Sequence, residues 1–194
     1  RTANHGFRGP LPYSINSRQV RIGELLGGTF LSHHGNWHQD STRGDIIPKM
    51  KEHPILIGVQ NIWGPSDVYR TYKEGSGLPV GCTALVMGQP LIDRQQGGAT
   101  NPEKAPLPVV WFKHWKTTGG QTARVLQSTM GSGKDLQNPG LRRLIINATY
   151  WGLEMEDQIS AESSVAYTGI YEPLESGFNY KKLGVAPHPP AFYR

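Results

Sequence analysis

Apolar side chains recur at helical spacing in one segment towards the C-terminal end of the chain. Asn138 is a favourable N-cap, and Pro139 suits the first position of a helix. The apolar positions that follow at this spacing are Leu141, Leu144, Ile145, Ala148 and Trp151. Arg142 and Arg143 fall on the opposite face. The pattern predicts an amphipathic helix that ends near Gly152.

Three other stretches have the apolar content of strands. Residues 82–87 (CTALVM) are typical of a buried strand, and residues 108–115 (PVVWFKHW) end in alternating aromatic and polar positions. Residues 123–128 (ARVLQS) follow a TTGG turn at residues 117–120. Because a short turn containing Gly joins them, the stretches 108–115 and 123–128 are predicted to form a hairpin.

Turn-forming residues dominate both ends of the chain. Gly and Pro interrupt residues 1–17, which are therefore expected to be loop-like. Residues 18–26 predict a short helix that ends at Gly27-Gly28. Beyond the C-terminal helix the periodicity is lost among tyrosines and prolines. We expect residues 1–155 to form one domain, and residues 156–194 to form an extended tail that packs on it.

The composition narrows the classes of partner. Gly (24) and Pro (15) favour turns, while five Trp and eight Tyr indicate a folded chain. The net charge of +5 comes from scattered Lys and Arg without a recognition motif, so nucleic acid is not expected as a partner. No apolar run approaches the roughly 20 residues of a membrane-spanning helix, so no membrane span is predicted.

The cysteine content and the first residues bear on the compartment. Cys82 is the single cysteine, which excludes an internal disulfide and predicts a buried structural thiol among apolar neighbours. No signal peptide is recognisable after Arg1. A periplasmic or secreted location and a cytoplasmic one therefore both stay open.

Several short motifs occur in a fixed order along the chain. Gly27-Gly28-Thr29-Phe30 comes first, followed by His53-Pro54-Ile55 and then by Ser66-Asp67-Val68-Tyr69. The hairpin and the C-terminal helix, which ends in Asn147-Ala148-Thr149-Tyr150-Trp151, come last. In this order the motifs resemble a ThuA-like (trehalose-utilisation) domain of the class I glutamine amidotransferase-like superfamily, over roughly residues 18–155.

The resemblance implies an α/β fold, Rossmann-like or flavodoxin-like, with a mainly parallel sheet flanked by helices. It also implies that the first strands of the domain precede Arg1, so the N-terminal part is predicted to be missing. Another chain or fragment is then expected to complete the sheet. Ligands of such sheets bind beyond the carboxyl ends of the strands. The loops at residues 1–13, 32–45 and 64–72 are expected to line that crevice.

The function that the resemblance implies is carbohydrate metabolism, with a sugar or oxidised sugar as the ligand and hydrolase-like or metal-assisted chemistry. Glutaminase activity is not expected, because residues 1–5, near the family's catalytic elbow, contain no Cys. The motif at residues 66–69 keeps one of the two family carboxylates, and Met130-Gly131 lacks the family histidine. A non-catalytic sugar-binding or scaffold module, or a subunit of a larger assembly, stays open as an alternative.

The densest group of polar side chains lies at residues 33–40. Imidazole groups can bind zinc or a similar divalent ion when three or four ligands converge, so His33, His34 and His38 are candidate metal ligands. Alternatively, Asp40 and the histidines hydrogen-bond sugar hydroxyls while Trp37 stacks on the sugar. A third interpretation is a loop whose histidines cap backbone groups.

Acid–base chemistry can be assigned to a second set of positions. The candidate catalytic residues are His5, His34, His38 and Asp67. Imidazole titrates near neutral pH, and a carboxylate can act as a base or orient a histidine. The alternatives are a surface histidine at position 5 and a helix N-cap at position 67.

The remaining candidates would bind the ligand without taking part in the chemistry. They are Trp37, Asp40, Arg43 and Tyr69. Arg43 is expected to pair with a carboxylate in a turn. The segment Gly131-Ser132-Gly133-Lys134 lacks the full phosphate-loop pattern and is not assigned to phosphate binding.

Overall fold

The computed structural model describes residues 22–175, and in addition Gly177, Gly184 and Ala186. Two helices and seven strands lie in this part of the chain. In chain order they are α1 (Ile22–Leu26), β1 (Ser32–His33), β2 (Ser41–Ile46), β3 (Ile62–Gly64), β4 (Tyr69–Arg70), β5 (Thr83–Leu91), β6 (Leu107–Lys116), β7 (Thr122–Ser128) and α2 (Pro139–Gly152). Short 3-10 turns lie at Pro48–Met50, Pro54–Leu56, Asp135–Gln137 and Glu156–Gln158.

Five strands form one curled antiparallel sheet, a half-barrel in the order β3-β2-β5-β6-β7. The short strands β1 and β4 pair with each other, also antiparallel. The predicted mainly parallel, Rossmann-like or flavodoxin-like sheet flanked by helices is therefore wrong for the described residues. Parallel neighbours need long crossover connections, usually helices. Here, by contrast, β6 and β7 are joined by a tight turn and the longer helix follows the last strand.

The elements predicted from local periodicity are confirmed. The hairpin forms between β6 and β7, with Lys116 opposite Thr122 and Val110 opposite Ser128. The helix α2 begins at Pro139, and the side-chain oxygen of Asn138 accepts the backbone N–H of Leu141 at 2.9 Å. The signals for these elements lie within a few residues of one another, so tertiary contacts are not needed to recognise them.

The core lies between α2 and the sheet. Leu141, Leu144 and Trp151 are buried on the inner face of the helix, against sheet residues such as Val110. The 3-10 turn Pro54–Leu56 lies under α2 and contributes Ile55 and Leu56 to this core. Full burial of one such side chain stabilises the fold by about 1.5–3 kcal/mol.

One buried amide fixes the 3-10 turn to the helix. Asn147 donates from Nδ2 to the carbonyl oxygens of Ile55 at 3.1 Å and Ile57 at 2.8 Å. Its side chain therefore satisfies two backbone acceptors that would otherwise lack partners in the core, a situation that costs free energy. These two hydrogen bonds explain why a polar residue, Asn147, occupies the buried face of α2.

The opposite face of β6 is covered by α1 and the turn after it. Trp111 donates from Nε1 to the carbonyl of Leu26 at 2.9 Å, and Lys113 donates from Nζ to that of Glu24 at 2.7 Å. A side chain at Gly27, which has φ of 78°, would overlap the sulfur of Cys82. Cys82 is only half-buried, although the sequence predicts a buried thiol, and this partial burial raises the pKa of the thiol.

After the 3-10 turn at Glu156–Gln158, residues 159–175 form an extended segment without helix or strand that crosses the outer side of α2. Arg143 donates to the carbonyl oxygens of Ser160 at 2.9 Å and Ser163 at 2.6 Å. Arg142 donates to the carbonyl of Val165 at 2.7 Å and lies over the ring of Tyr167. The two arginines that the helical pattern places away from the core thus hold this segment.

None of the helices within residues 22–175 combines the length and the apolar content that a membrane crossing requires. The outer edge of β7 pairs with no other strand in this range. Completion of the sheet by another chain stays a prediction.

Stability should fall in mild acid because of His53. Its Nδ1 accepts the backbone N–H of Ile55, and burial, followed by the charge of Arg124, lowers the pKa of His53. The stabilisation from neutral His53 is complete above its unfolded-state pKa of about 6.5 and is lost as the pH falls towards the lower folded-state pKa. His53→Asn keeps a capping oxygen but does not titrate there. We expect the loss of unfolding free energy between about pH 7.5 and pH 5 to be smaller in this variant, as measured by urea titration.

His38→Asn is the matched control, because His38 is exposed and caps no helix. Equal acid sensitivity in wild type and His53→Asn would contradict the assignment.

Candidate functional site

A small polar pocket opens between two loops of the described chain. Trp37 and His38 contribute one part of its wall, and Ser66, Asp67 and Tyr69 contribute another. The first two residues lie in the loop between β1 and β2, and the other three lie between β3 and the end of β4. Pairing of β1 with β4 brings these loops together, because Ser32 and His33 lie opposite Arg70 and Tyr69.

The remaining wall of the pocket comes from three more distant segments. They contribute Arg94 from the loop after β5, Ser132 and Lys134 from the loop before α2, and Glu175 from the extended segment. The pocket therefore contains two carboxylates, two permanently cationic groups and several hydroxyls. Such a lining suits a polar ligand that carries many hydrogen-bonding groups.

Asp67 is the most buried charged residue of the pocket wall. Its carboxylate oxygen Oδ2 accepts the Nδ1–H of His33 at 2.8 Å, while its side chain is only 2% exposed and that of His33 is 39% exposed. The oxygen Oδ1 makes no hydrogen bond to any residue in the described range. Asp67 is thus oriented through one oxygen, and its other oxygen has no partner among the described residues.

Aromatic rings flank this carboxylate. Trp37 is 47% exposed and meets the ring of His38 edge-on, with 4.1 Å between centroids. Tyr69 contacts the ring of His33 edge-on at 5.3 Å. Burial, together with the charges of Asp67 and Asp135, raises the pKa of Tyr69, so its hydroxyl stays protonated and able to donate at neutral pH.

A fully buried carboxylate holds the two walls of the pocket together. Asp135 accepts the backbone N–H of Ser66 at 3.1 Å with Oδ1. With Oδ2 it accepts those of Gly131 at 3.0 Å and Ser132 at 3.1 Å. The N–H groups of Gly131 and Ser132 are therefore already bonded within the protein.

Gly64 allows Asp135 to approach. A Cβ atom at position 64 would overlap the carboxylate of Asp135, so any larger residue would force the two loops apart. Glycine is used here for close approach and not for a left-handed backbone, since Gly64 has no positive φ.

His34, a candidate for both catalysis and metal binding, lies away from the pocket. Its Nε2 donates to the carbonyl of Ala105 at 2.8 Å, and its Nδ1 accepts from the guanidinium of Arg70 at 3.2 Å. This tautomer is the one that both partners require. Because both ring nitrogens are engaged, His34 connects the bend after β1 to strand β4 and to the loop before β6.

Two further candidate site residues lie away from the pocket, and a third lies outside the described residues. Asp40 is buried and accepts from the backbone and side-chain nitrogens of Asn36, which closes the 36–40 loop rather than facing the pocket. Arg43 lies on β2, not in a turn, and pairs with Asp45 on the exposed surface. His5 lies outside the described residues.

His38 does reach the pocket, on an unusual backbone. Its φ is 62°, in the left-handed region that non-glycine residues seldom adopt. Four predicted residues are therefore gathered at the pocket: Trp37, His38, Asp67 and Tyr69.

The three histidines proposed as metal ligands do not converge. Within the described residues no group of three or more His, Cys, Asp or Glu side chains could hold a metal ion. His33 is bonded to Asp67, whereas His34 is bonded to Ala105 and Arg70.

The sequence analysis missed four of the ten residues that line the pocket, namely Arg94, Ser132, Lys134 and Glu175. Residues 65–69 of the wall lie in the loop 64–72 that was expected to line a crevice. No local sequence pattern could have identified these distant residues, since Arg94 and Glu175, for example, are 81 positions apart.

Comparison of the chain with protein-family models, curated proteins and solved structures gives no match.

Loss of the Asp135 carboxylate should loosen both walls of the pocket. Asp135→Asn removes the charge and turns an NH₂ group towards backbone N–H donors, so we expect a loss of at least about 2 kcal/mol of unfolding free energy in urea titrations. Asp45→Asn breaks an exposed ion pair and should cost less than about 1 kcal/mol. Equal effects of the two substitutions would show that Asp135 does not anchor the loops.

Proposed function

We propose that this chain is a ThuA-like protein that binds a carbohydrate in the pocket and takes part in the metabolism of a sugar or oxidised sugar. The observation that carries the proposal is the buried carboxylate of Asp67 beside the exposed indole of Trp37. Asp67 and Tyr69 come from one of the motifs on which the resemblance rests. The proposal depends on these motifs and on the pocket, because the antiparallel sheet differs from the sheet that the resemblance implies.

The pocket chemistry suits a sugar. A pyranose presents hydroxyl groups at its edge and C–H groups on its face, so it needs hydrogen-bonding groups and an aromatic surface together. The free oxygen of Asp67 can accept from hydroxyls, and the Tyr69 hydroxyl can donate. Ser66 and Ser132 bond to each other through their hydroxyls at 3.0 Å and supply further polar contacts.

Acid–base catalysis is a second candidate function, favoured by the His33–Asp67 hydrogen bond. The carboxylate fixes the Nδ1–H tautomer of His33, so Nε2 carries the lone pair that can take up a proton. His33 is partly exposed, which allows this nitrogen to exchange protons. A sugar-binding module without turnover is the alternative.

Sugar binding should depend on Asp67 and Trp37. We expect Asp67→Asn to weaken the binding of a cognate sugar by about tenfold to a hundredfold, because a charge-assisted hydrogen bond is lost. Trp37→Ala should weaken it about tenfold through loss of stacking. Calorimetry against a panel of mono- and disaccharides measures both effects.

Arg43→Gln is the matched control, because Arg43 is an exposed charged residue outside the pocket. Its affinity should equal that of wild type. Sugar binding that is unchanged in Asp67→Asn and Trp37→Ala would remove this pocket from the function.

If the wild-type protein turns over any sugar of the panel, this turnover should require the His33–Asp67 pair. His33→Gln should lower the rate at least about a hundredfold, as expected for loss of a general base, while sugar affinity stays within about threefold. The assay is release of reducing sugar from the same panel. A rate that His33→Gln leaves unchanged would rule out this base, and a wild-type protein that binds without turnover would favour the binding module.

A further inference from the structure

Glu175 closes the pocket from the side of the extended segment. Its carboxylate accepts from the guanidinium of Arg94 at 3.0 Å, and Arg94 also donates to the carbonyl of Pro65 at 3.3 Å. The hydrogen bond from Arg94, reinforced by the charges of Arg94, Lys134 and His38, lowers the pKa of Glu175. Glu175 is therefore held as a carboxylate against the basic wall of the pocket.

The charges of the pocket divide into two groups. Asp67 is bonded to His33, whereas Glu175 is paired with Arg94 and lies in the same pocket wall as Lys134. Within the described residues Arg94 makes no other salt bridge, and Lys134 makes none. Departure of the Glu175 side chain would leave two cations facing the pocket without a counter-charge.

The space left in the pocket is too small for a sugar. Its volume is about 20 Å³, and a cavity of this size holds about one water molecule. A ligand that reaches Asp67 must therefore displace part of the wall. Glu175 is the wall residue best suited to move, because its side chain is 53% exposed and it belongs to a segment without regular secondary structure.

Contacts of the extended segment with the 131–134 loop position Glu175 at the pocket. Tyr171 donates to the carbonyl of Gly133 at 2.8 Å, and its ring stacks on Tyr167 at 4.6 Å. Pro173 packs so closely on Gly133 that a Cβ there would lie 2.9 Å from the proline ring. These contacts place Glu175 beside the pocket, where a single exposed ion pair with Arg94 holds its carboxylate.

We propose that Arg94 and Lys134 form a carboxylate-binding subsite, that the ligand is an acidic sugar such as a hexuronate, and that Glu175 occupies this subsite when the sugar is absent. The inference rests on the proposed sugar-binding function and specifies its substrate class. Guanidinium groups bind carboxylates with directed, charge-assisted hydrogen bonds. Exposed ion pairs are weak, so a ligand carboxylate with further contacts to Asp67 and Trp37 can displace Glu175.

The test compares D-glucuronate with D-glucose, which differ in the carboxylate, by calorimetry on the full chain. Wild type should prefer glucuronate. Glu175→Gln removes the internal competitor, so this preference should increase at least about fivefold. Arg94→Gln should abolish the preference while the chain stays folded, as checked by thermal unfolding. Glu172→Gln, which changes another exposed carboxylate of the same segment, should leave the preference as in wild type.

The outcomes separate this inference from the proposed function. Glucose binding that depends on Asp67, with no preference for glucuronate in any variant, would overturn the carboxylate subsite and leave the sugar-binding proposal standing. An equal gain for both sugars in Glu175→Gln would show that Glu175 is only a steric cover, which also overturns the subsite. Absence of binding to the whole sugar panel in wild type and Glu175→Gln would overturn both proposals.

Discussion

The carboxylate of Asp135 is the contact on which the pocket depends. It is fully buried, yet it joins two loops by accepting backbone N–H groups from Ser66, Gly131 and Ser132. A buried charge is costly unless hydrogen bonds replace its hydration, and these three donors supply that replacement. Because the donors belong to the segments that carry Asp67 and Lys134, the same interaction that stabilises Asp135 also fixes the pocket walls. Small shifts at this point would therefore be transmitted to the site.

Adjacent histidines show why the candidate site could be found only in part from the sequence. The cluster correctly drew attention to the loop after β1, but it could not assign the roles of His33 and His34. β1 ends at His33, and His34 begins the bend that follows it. His33 meets Asp67, while His34 meets Ala105 and Arg70. The metal hypothesis required both histidines to face one point, which these separate contacts prevent.

Some features of the fold follow from local sequence signals, whereas others depend on pairings between distant segments. The β6–β7 hairpin and α2 follow from turn residues, an N-cap and periodicity, all of which are local. The direction and order of strands depend on pairings between distant segments, such as β2 with β5, where Ser41 lies opposite Leu91. Local patterns do not encode these pairings, and the family resemblance implies a parallel sheet, which the structure contradicts. The register between β5 and β6 shifts at Ala84/Val86 and at Val86/Met87, and irregularities of this kind bend a strand and increase its twist.

The extended segment is anchored unevenly, and this matters for the pocket. Far from the pocket, Arg142 and Arg143 donate to several of its carbonyl oxygens, and Arg142 also lies over Tyr167. Near the pocket the segment depends on the Tyr171 hydrogen bond and on the Arg94–Glu175 pair. Local opening follows the weakest set of contacts, so the residues around Glu175 can leave the pocket while residues 160–167 stay docked. Anchoring at α2 keeps the carboxylate of Glu175 at high effective concentration beside Arg94, and the weak Arg94–Glu175 contact allows an external carboxylate to compete.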